Sequence, residues 1–461
     1  MGMEDAVKRV IAGCLSLLLV LSVGSHLFQW HIESTLMVLV SYVLLGWGFF
    51  TIRKLKLYQQ ILIAMVIAAG VAISVLSAGI PLPLEPLTPL GTIFIRLLKM
   101  IIVPLVVSSI IVGVSGIGDS KTLGRLGMKT LGYYFLTSLC AIVIGLFLSN
   151  LVQPGLGVSV PQADAIDASS LNRPGSIFDI VIRMIPTNPI QAFAGGDMLG
   201  LIFFSICFGV AMTRCPEAIQ KPLFQVVNSV FQVMMNLTEM IIKLAPLGVF
   251  GLIVGAILKM EPAFFYSVAK YMLTIFVGLC LHLFVVLPLL LKLLSGRSPV
   301  RHFSDMANAL MTAFSTSSSS STLPVTMECI EKNAGVSNKV SSFVLPLGAT
   351  VNMDGTALYE CAGVLFISQV LGVDLTFGQQ MVVVLTALLA SIGAAGIPSA
   401  GLVMIFIVLE AVNLQGPTVG LIVGAMLAVD RPLDMMRTAV NIFSDSIGSV
   451  VVAKSEGELS S

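Results

Sequence analysis

Charge is what this 461-residue chain has least of: Lys, Arg, Asp and Glu together make up 11% of it. The 25 basic and 24 acidic residues leave a formal net charge of +1, so there is no basic surface for nucleic acid and no acidic tail. Histidine is scarce as well. His26, His31, His282 and His302 are scattered along the chain, and a zinc site is not expected from them. Cys14, Cys140, Cys207, Cys215, Cys280, Cys329 and Cys361 form no CxxC pair and lie mostly in apolar runs, where cysteine packs as a small apolar side chain. No GxSxG elbow and no suitably placed His or Lys accompanies the serines, so a hydrolase is not expected.

Apolar residue is what the chain has in excess, at 56% with a mean hydropathy of +1.00. Runs of about 20 apolar residues, enough to cross a bilayer, mark a polytopic membrane protein. They fall at 10–29, 35–52, 59–79, 92–117, 130–152, 192–213, 224–257 and 263–294. Alternate gaps are rich in Lys and Arg, beginning with Lys8/Arg9, Arg53/Lys54/Lys56 and Lys121/Arg125/Lys129, which predicts a cytoplasmic N-terminus by the positive-inside rule. Residues 10–25 could pass for a signal-peptide core, but without a small-residue cleavage site they read as the first of two additional membrane helices.

Beyond residue 300 the pattern changes. A serine run, STSSSSSTLPVT (315–326), and a Gly/Ala/Pro stretch, ASIGAAGIPSAG (390–401), each sit between apolar arms too short to span alone. Irregular backbone at membrane depth is tolerated only where protein buries it or it lines a cavity. The two interruptions, near 315–324 and 391–401, therefore predict a pair of re-entrant hairpins around a binding site. Between them LPLGATVNMDGTALYE (345–360) reads as a helix broken at Gly355, whose freed carbonyls beside the Asp354 carboxylate suit a hard cation such as Na⁺.

Most of the intramembrane charge sits in DRPLDMMRTAVNIFSD (430–445). At about 100° per residue, Asp430, Asp434, Arg437, Thr438, Asn441 and Asp445 share one helical stripe roughly 100° wide. A structural ion pair between Asp434 and Arg437 at i, i+3 is the plainer reading, but it leaves Asp430, Asn441 and Asp445 without a purpose. Ionisable groups at this depth point to function. The hydroxyls of YYFLTS (133–138) read, on physics alone, as back-bonded to their own helix.

STSSSSSTLPVTM, LPLGATVNMDGTALYE, ASIGAAGIP and D...D..RT..N...D, in that order, closely resemble the glutamate/aspartate transporter family, the dicarboxylate/amino acid:cation symporters. The likeness covers residues 58 to about 455. It implies an all-α polytopic membrane protein of eight transmembrane helices and two re-entrant hairpins, forming a homotrimer in the cell membrane and working by an elevator movement. On that pattern 1–57 is an extension with two predicted helices. Residues 58–130 and 176–257 are scaffold, the first including the boundary to the transport domain. The transport domain takes 131–152, 263–294, hairpin 1 (303–331), an unwound helix (336–370), hairpin 2 (377–410) and a last helix (417–453).

The resemblance also implies roles. Arg437, supported by Thr356, matches the arginine that holds the substrate's side-chain carboxylate, and Asp434 the partner of its α-amino group. Ser317, Ser319, Ile397, Gly401, Thr438 and Asn441 match other substrate contacts. For Na⁺, Asp445 with carbonyls of Gly348, Asn352 and Asn441 resembles one site. Asp354 with Tyr134, Thr137, Ser138 and Asn352 resembles a second, and carbonyls of Thr350, Ser391, Ile392 and Ala394 a third. Glu360 matches a glutamate of animal relatives tied to proton and K⁺ coupling.

Carboxylates at 434 and 445 together with an arginine at 437 match the branch that carries acidic amino acids with Na⁺, H⁺ being a second candidate coupling ion and K⁺ countertransport left open. Proton-driven glutamate/aspartate or C4-dicarboxylate symport and a substrate-gated anion conductance are the alternatives. Two departures stand out. Archaeal relatives carry an arginine at the position of Ser317 and animal relatives one at Met435, whereas this chain has neither, and Arg431 lies four residues before Met435.

Overall fold

The computed structural model describes residues 57–78, 87–115, 121–158, 182, 184–392 and 400–460. The two helices expected before residue 55 lie outside the described residues, as do Ala394 and Ile397 of the second hairpin's tip. Lipid offers no partner for backbone N–H and C=O groups. In keeping with that, the described residues are helical throughout apart from turns and one isolated bridge, Val336 to Leu459.

The first helices are α1 (Leu57–Ala78), α2 (Thr88–Ser115) and α3 (Lys121–Val152). Two segments expected to be continuous are broken. Residues 192–213 divide into α4 (Pro189–Gly195) and α5 (Met198–Thr213) at Gly196, which is left-handed at φ 71°. Asn188 and Asp197 accept hydrogen bonds from the first N–H groups of these two helices, the usual satisfaction of an N-terminus. Residues 224–257 divide into α6 (Glu217–Ile242) and α7 (Ala245–Lys259), bent by 53° just ahead of Pro246, whose missing N–H interrupts the helical ladder. Then α8 (Pro262–Leu281) continues through a π-helical turn, His282–Val286, into α9 (Leu287–Ser295).

Thr88–Ser115, Arg125–Val152 and Ala263–Ser295 are each long and apolar enough to cross a bilayer, and the bent α6–α7 pair qualifies when taken together. One packed group consists of α7 against α1 and α2, with α2 also against α5 and α6.

The other group is built around short helices: α10 (Pro299–Thr316) with α11 (Ser319–Lys332), α12 (Asn338–Val351) with α13 (Asp354–Val370), and α14 (Phe377–Ile392) with α15 (Ala400–Ala411). The first pair is interrupted at Ser317 and Ser318, within the expected 315–324, and the break between α14 and α15 lies outside the described residues. At 12 to 18 residues the arms of these two pairs are shorter than the roughly 20 a spanning helix needs. Through their midst runs α16 (Pro417–Glu456), 40 residues long and so about 60 Å at 1.5 Å per residue. It packs on α8, α10, α11, α12 and α13, and Arg125 and Lys129 of α3 pair with Glu456 at its end.

The break in the central helix is not at Gly355. It falls at Asn352 (φ −105°, ψ 89°) and Met353 (φ −119°, ψ 62°), while Gly355 lies inside the first turn of α13. A Cβ there would come within 2.9 Å of the Arg437 Cα. Glycine at 355 therefore serves a close approach of α13 to α16, and the helix is interrupted three residues earlier, at Asn352, whose side chain bonds Thr137, Ser444 and Asp445.

Candidate functional site

All six polar residues of the predicted stripe on α16 are buried, from Arg437 and Asp445 at 1% exposed to Asp434 and Thr438 at 5%. They separate into two clusters. In the first, Arg437 Nη2 donates to Asp434 Oδ1 at 2.8 Å and lies 3.0 Å from Asp430 Oδ1. Its guanidinium stacks on the Tyr359 ring, 3.9 Å from the centroid. The i, i+3 pair that offered the plainer reading does exist, but it engages only one nitrogen. Nε and Nη1 are buried and make no hydrogen bond among the described residues. A Cβ placed on Gly401 would lie 3.2 Å from Nη1 and 3.2 Å from the Thr356 methyl, so the open side of the guanidinium faces α13 and the start of α15. A planar fork with free donors is suited to a carboxylate.

Asn441, one turn beyond, accepts the Gly355 N–H at its Oδ1 (2.9 Å), which orients its Nδ2 for donation. Thr438 is tied back to the Asp434 carbonyl at 2.9 Å. The two helices of hairpin 1, α10 and α11, both pack on α16. Ser317 is left-handed at φ 53°, and its buried hydroxyl has no partner among the described residues. Ser318 caps α11 by accepting the Ser321 N–H at 3.2 Å, and Ser319 opens that helix, buried. The first N–H groups of a helix lack internal partners and carry its positive dipole end.

The second cluster holds Asp354 and Asp445. Asp354 accepts from Ser138 Oγ at 2.7 Å and lies 3.1 Å from His282 Nε2, both partners buried. Asp445 accepts from Asn352 Nδ2 at 2.8 Å. The same amide donates to Ser444 at 3.0 Å, and Thr137 joins Asn352 Oδ1 and Ser444 at 3.4 Å each. The Tyr134 hydroxyl donates to the Val344 carbonyl at 2.9 Å. A Cβ on Gly348 would collide with both that hydroxyl and Asp445 Oδ1, so Tyr134 sits on the Asp445 side of the cluster. Among the described residues no lysine or arginine pairs with either carboxylate. Gly348, in the last turn of α12, lies against Asp445, and helix C-terminal ends attract cations.

Of the carbonyl-bearing positions, Thr350 and Ser391 turn their hydroxyls to Leu347 and Leu388 of their own helices, which leaves their backbones to act. The helices that bear them, α12 and α14, are in contact, and Ile392 ends α14. Glu360 is wholly buried on α13, next in sequence to the Tyr359 ring under Arg437, and neither carboxylate oxygen has a partner among the described residues. Arg431 does not stand in for an arginine at Met435 against Glu360; it reaches Asp434 Oδ2 at 3.4 Å.

Two residues of the site escaped sequence reasoning. Asp430 was on the stripe without a role, and it clamps Arg437. His282 was set aside as scattered, and it holds Asp354 from 72 positions away. The π turn that begins at His282 puts an extra residue into the helix and shifts its face, a local distortion common at functional positions.

Residues 57–455 match the sodium:dicarboxylate symporter family. The chain belongs to that family. It is a secondary transporter and no enzyme. Among its relatives it is 34% identical to the proton/sodium-glutamate symport protein of Geobacillus stearothermophilus, over 88% of this chain and 96% of that one. It is 35% identical to the proton/glutamate-aspartate symporter of Escherichia coli over 80% and 85%, and 36% identical to human excitatory amino acid transporter 3 over 79% and 78%.

Proposed function

We infer that this transporter carries acidic amino acids, aspartate or glutamate, in symport with Na⁺ and/or H⁺. One observation carries the reading: a buried arginine with open donors stands beside a carboxylate, and apart from them lie two buried carboxylates with which no lysine or arginine pairs among the described residues. An acidic amino acid brings two negative groups and one positive to the first cluster. A cation completes the second.

Arg437, backed by Thr356, takes the side-chain carboxylate, and Asp434 the ammonium. Asn441, Thr438, Ser317, the Ser319 N–H and the hairpin 2 backbone at Ile397 and Gly401 enclose the α-carboxylate. Asp445 with the Gly348, Asn352 and Asn441 carbonyls holds one Na⁺. Asp354 with Thr137, Ser138 and Asn352 holds another, Tyr134 standing on the Asp445 side, and the carbonyls of Thr350, Ser391, Ile392 and Ala394 a third. Glu360 takes up a proton with the cargo and releases it on the cytoplasmic side. The short helices around α16, with α3 and α8, move as the transport domain against the scaffold of α1, α2 and α4 to α7, in a homotrimer whose N-terminus is cytoplasmic.

Uptake of labelled aspartate and glutamate into proteoliposomes, with Na⁺, H⁺ and K⁺ gradients imposed singly, tests this reading. Accumulation driven by Na⁺ or H⁺ is expected. Ohmic flux of anions without accumulation would replace symport by a conductance.

A further inference from the structure

Arg431 is a charged residue of the first α16 cluster for which the transport cycle above has no use. Its Nη1 lies 3.4 Å from Asp434 Oδ2, while Asp434 Oδ1 is 2.8 Å from Arg437 Nη2. Both oxygens of the carboxylate that meets the substrate ammonium are therefore already facing arginines. The two arginines differ in how firmly they are held. Arg437 is 1% exposed, clamped by Asp430 and stacked on Tyr359. Arg431 keeps 17% of its side chain accessible, and its contact is the longer. An arriving ammonium shares or replaces Arg431 rather than Arg437.

We propose that Arg431 determines selectivity at this site: by neutralising Asp434 when no ammonium is present, it lets the transporter accept C4 dicarboxylates as well as acidic amino acids. The proposal rests on the assignment of the ammonium to Asp434. A dicarboxylate without an amino group that enters beside Arg437 would otherwise face the unscreened charge of Asp434, and specificity against it would follow from that repulsion. With Arg431 in place the pair Asp434–Arg431 presents no net charge, and the repulsion falls away. Aspartate gains less, because its own ammonium supplies the same neutralisation. Removing Arg431 must then penalise succinate more than aspartate, whatever it does to the affinity of either alone.

Competition of succinate against labelled aspartate on the purified full chain at saturating Na⁺ decides this, comparing the parent with Arg431→Gln, Arg431→Ser and Arg431→Lys. The parent is expected to bind both ligands. The Gln and Ser variants should raise the aspartate-over-succinate preference on the order of tenfold, the worth of one partly screened ion pair, and the Lys variant should keep the parent's preference. Thermal stabilisation by Na⁺ alone identifies folded protein, and two neutral variants guard against loss of either. An unchanged preference, equal weakening of both ligands, or a parent blind to succinate overturns the proposal. A parent that binds succinate but not aspartate overturns the cargo assignment itself.

Discussion

Two clusters on one helix, Asp430 to Arg437 and Asn441 to Asp445, are both buried, with Arg431 the more accessible member of the first, and are oppositely balanced. In the first, two aspartates meet two arginines, and every carboxylate has a guanidinium within 3.4 Å. In the second, the hydrogen-bond partners of Asp354 and Asp445 among the described residues are serine, histidine and asparagine. Burying charge is costly unless it is paired. A site whose charges already balance is prepared for a zwitterionic or anionic cargo that exchanges one ion pair for another. A site with uncompensated carboxylates is prepared for a cation. The difference supports the proposal that cargo and cation occupy separate clusters.

Arg437→Cys should have the largest effect on this contrast, because it strands Asp430 and Asp434 and removes the carboxylate's partner. Binding of acidic amino acids should weaken by about 3 kcal/mol or more, with serine or alanine becoming acceptable cargo. Transport assays with both amino-acid classes would show it, and unchanged aspartate affinity would break the assignment. Asp445→Asn comes next. It keeps the size of the side chain and removes a charge from the cation cluster. Na⁺ dependence should weaken severely, and through linkage aspartate affinity should fall by about 5- to 150-fold. Sodium titrations of uptake would reveal it, and a parental Na⁺ curve would exclude Asp445 as a ligand.

His282→Ala sharpens the comparison further. Loss of an orienting partner typically lowers cation affinity by about 10- to 100-fold, and the lower end is expected here because Ser138 still holds Asp354. At saturating Na⁺ the aspartate affinity should return to the parent's, and His282→Gln should restore part of the Na⁺ affinity. A loss that saturating Na⁺ leaves in place would mean that His282 merely supports the fold. The smallest expected change is that of Glu360→Gln, a permanent mimic of the protonated side chain. It should bind and exchange substrate while net uptake loses its response to an imposed pH gradient. If that response survives, Na⁺ alone drives the cycle.

Much of this was legible in the sequence because intramembrane charge is rare and helical periodicity is regular. The stripe on α16 and the two pairs of short helices, α10 with α11 and α14 with α15, follow from those two facts. What escaped depends on contacts distant in sequence or on small deviations from the regular helix. His282 meets Asp354 only after α8 packs beside α13, and the π turn that aims it leaves no mark in hydropathy. The helix break lay at Asn352 and Met353 rather than at the glycine, because Gly355 was needed for proximity to Arg437. The bend between α6 and α7 was hidden within one apolar run, with Pro246 as its only sign.

The division into a balanced cargo cluster and an unbalanced cation cluster is tested most directly by Na⁺ binding to the Arg437→Cys variant without substrate, measured by calorimetry or by Na⁺-induced thermal stabilisation. Na⁺ affinity should stay close to the parent's while aspartate binding is lost, and Asp445→Asn should show loss of Na⁺ binding in the same assay. If Arg437→Cys, still folded, loses Na⁺ binding together with aspartate, the two clusters are one site and the account is contradicted.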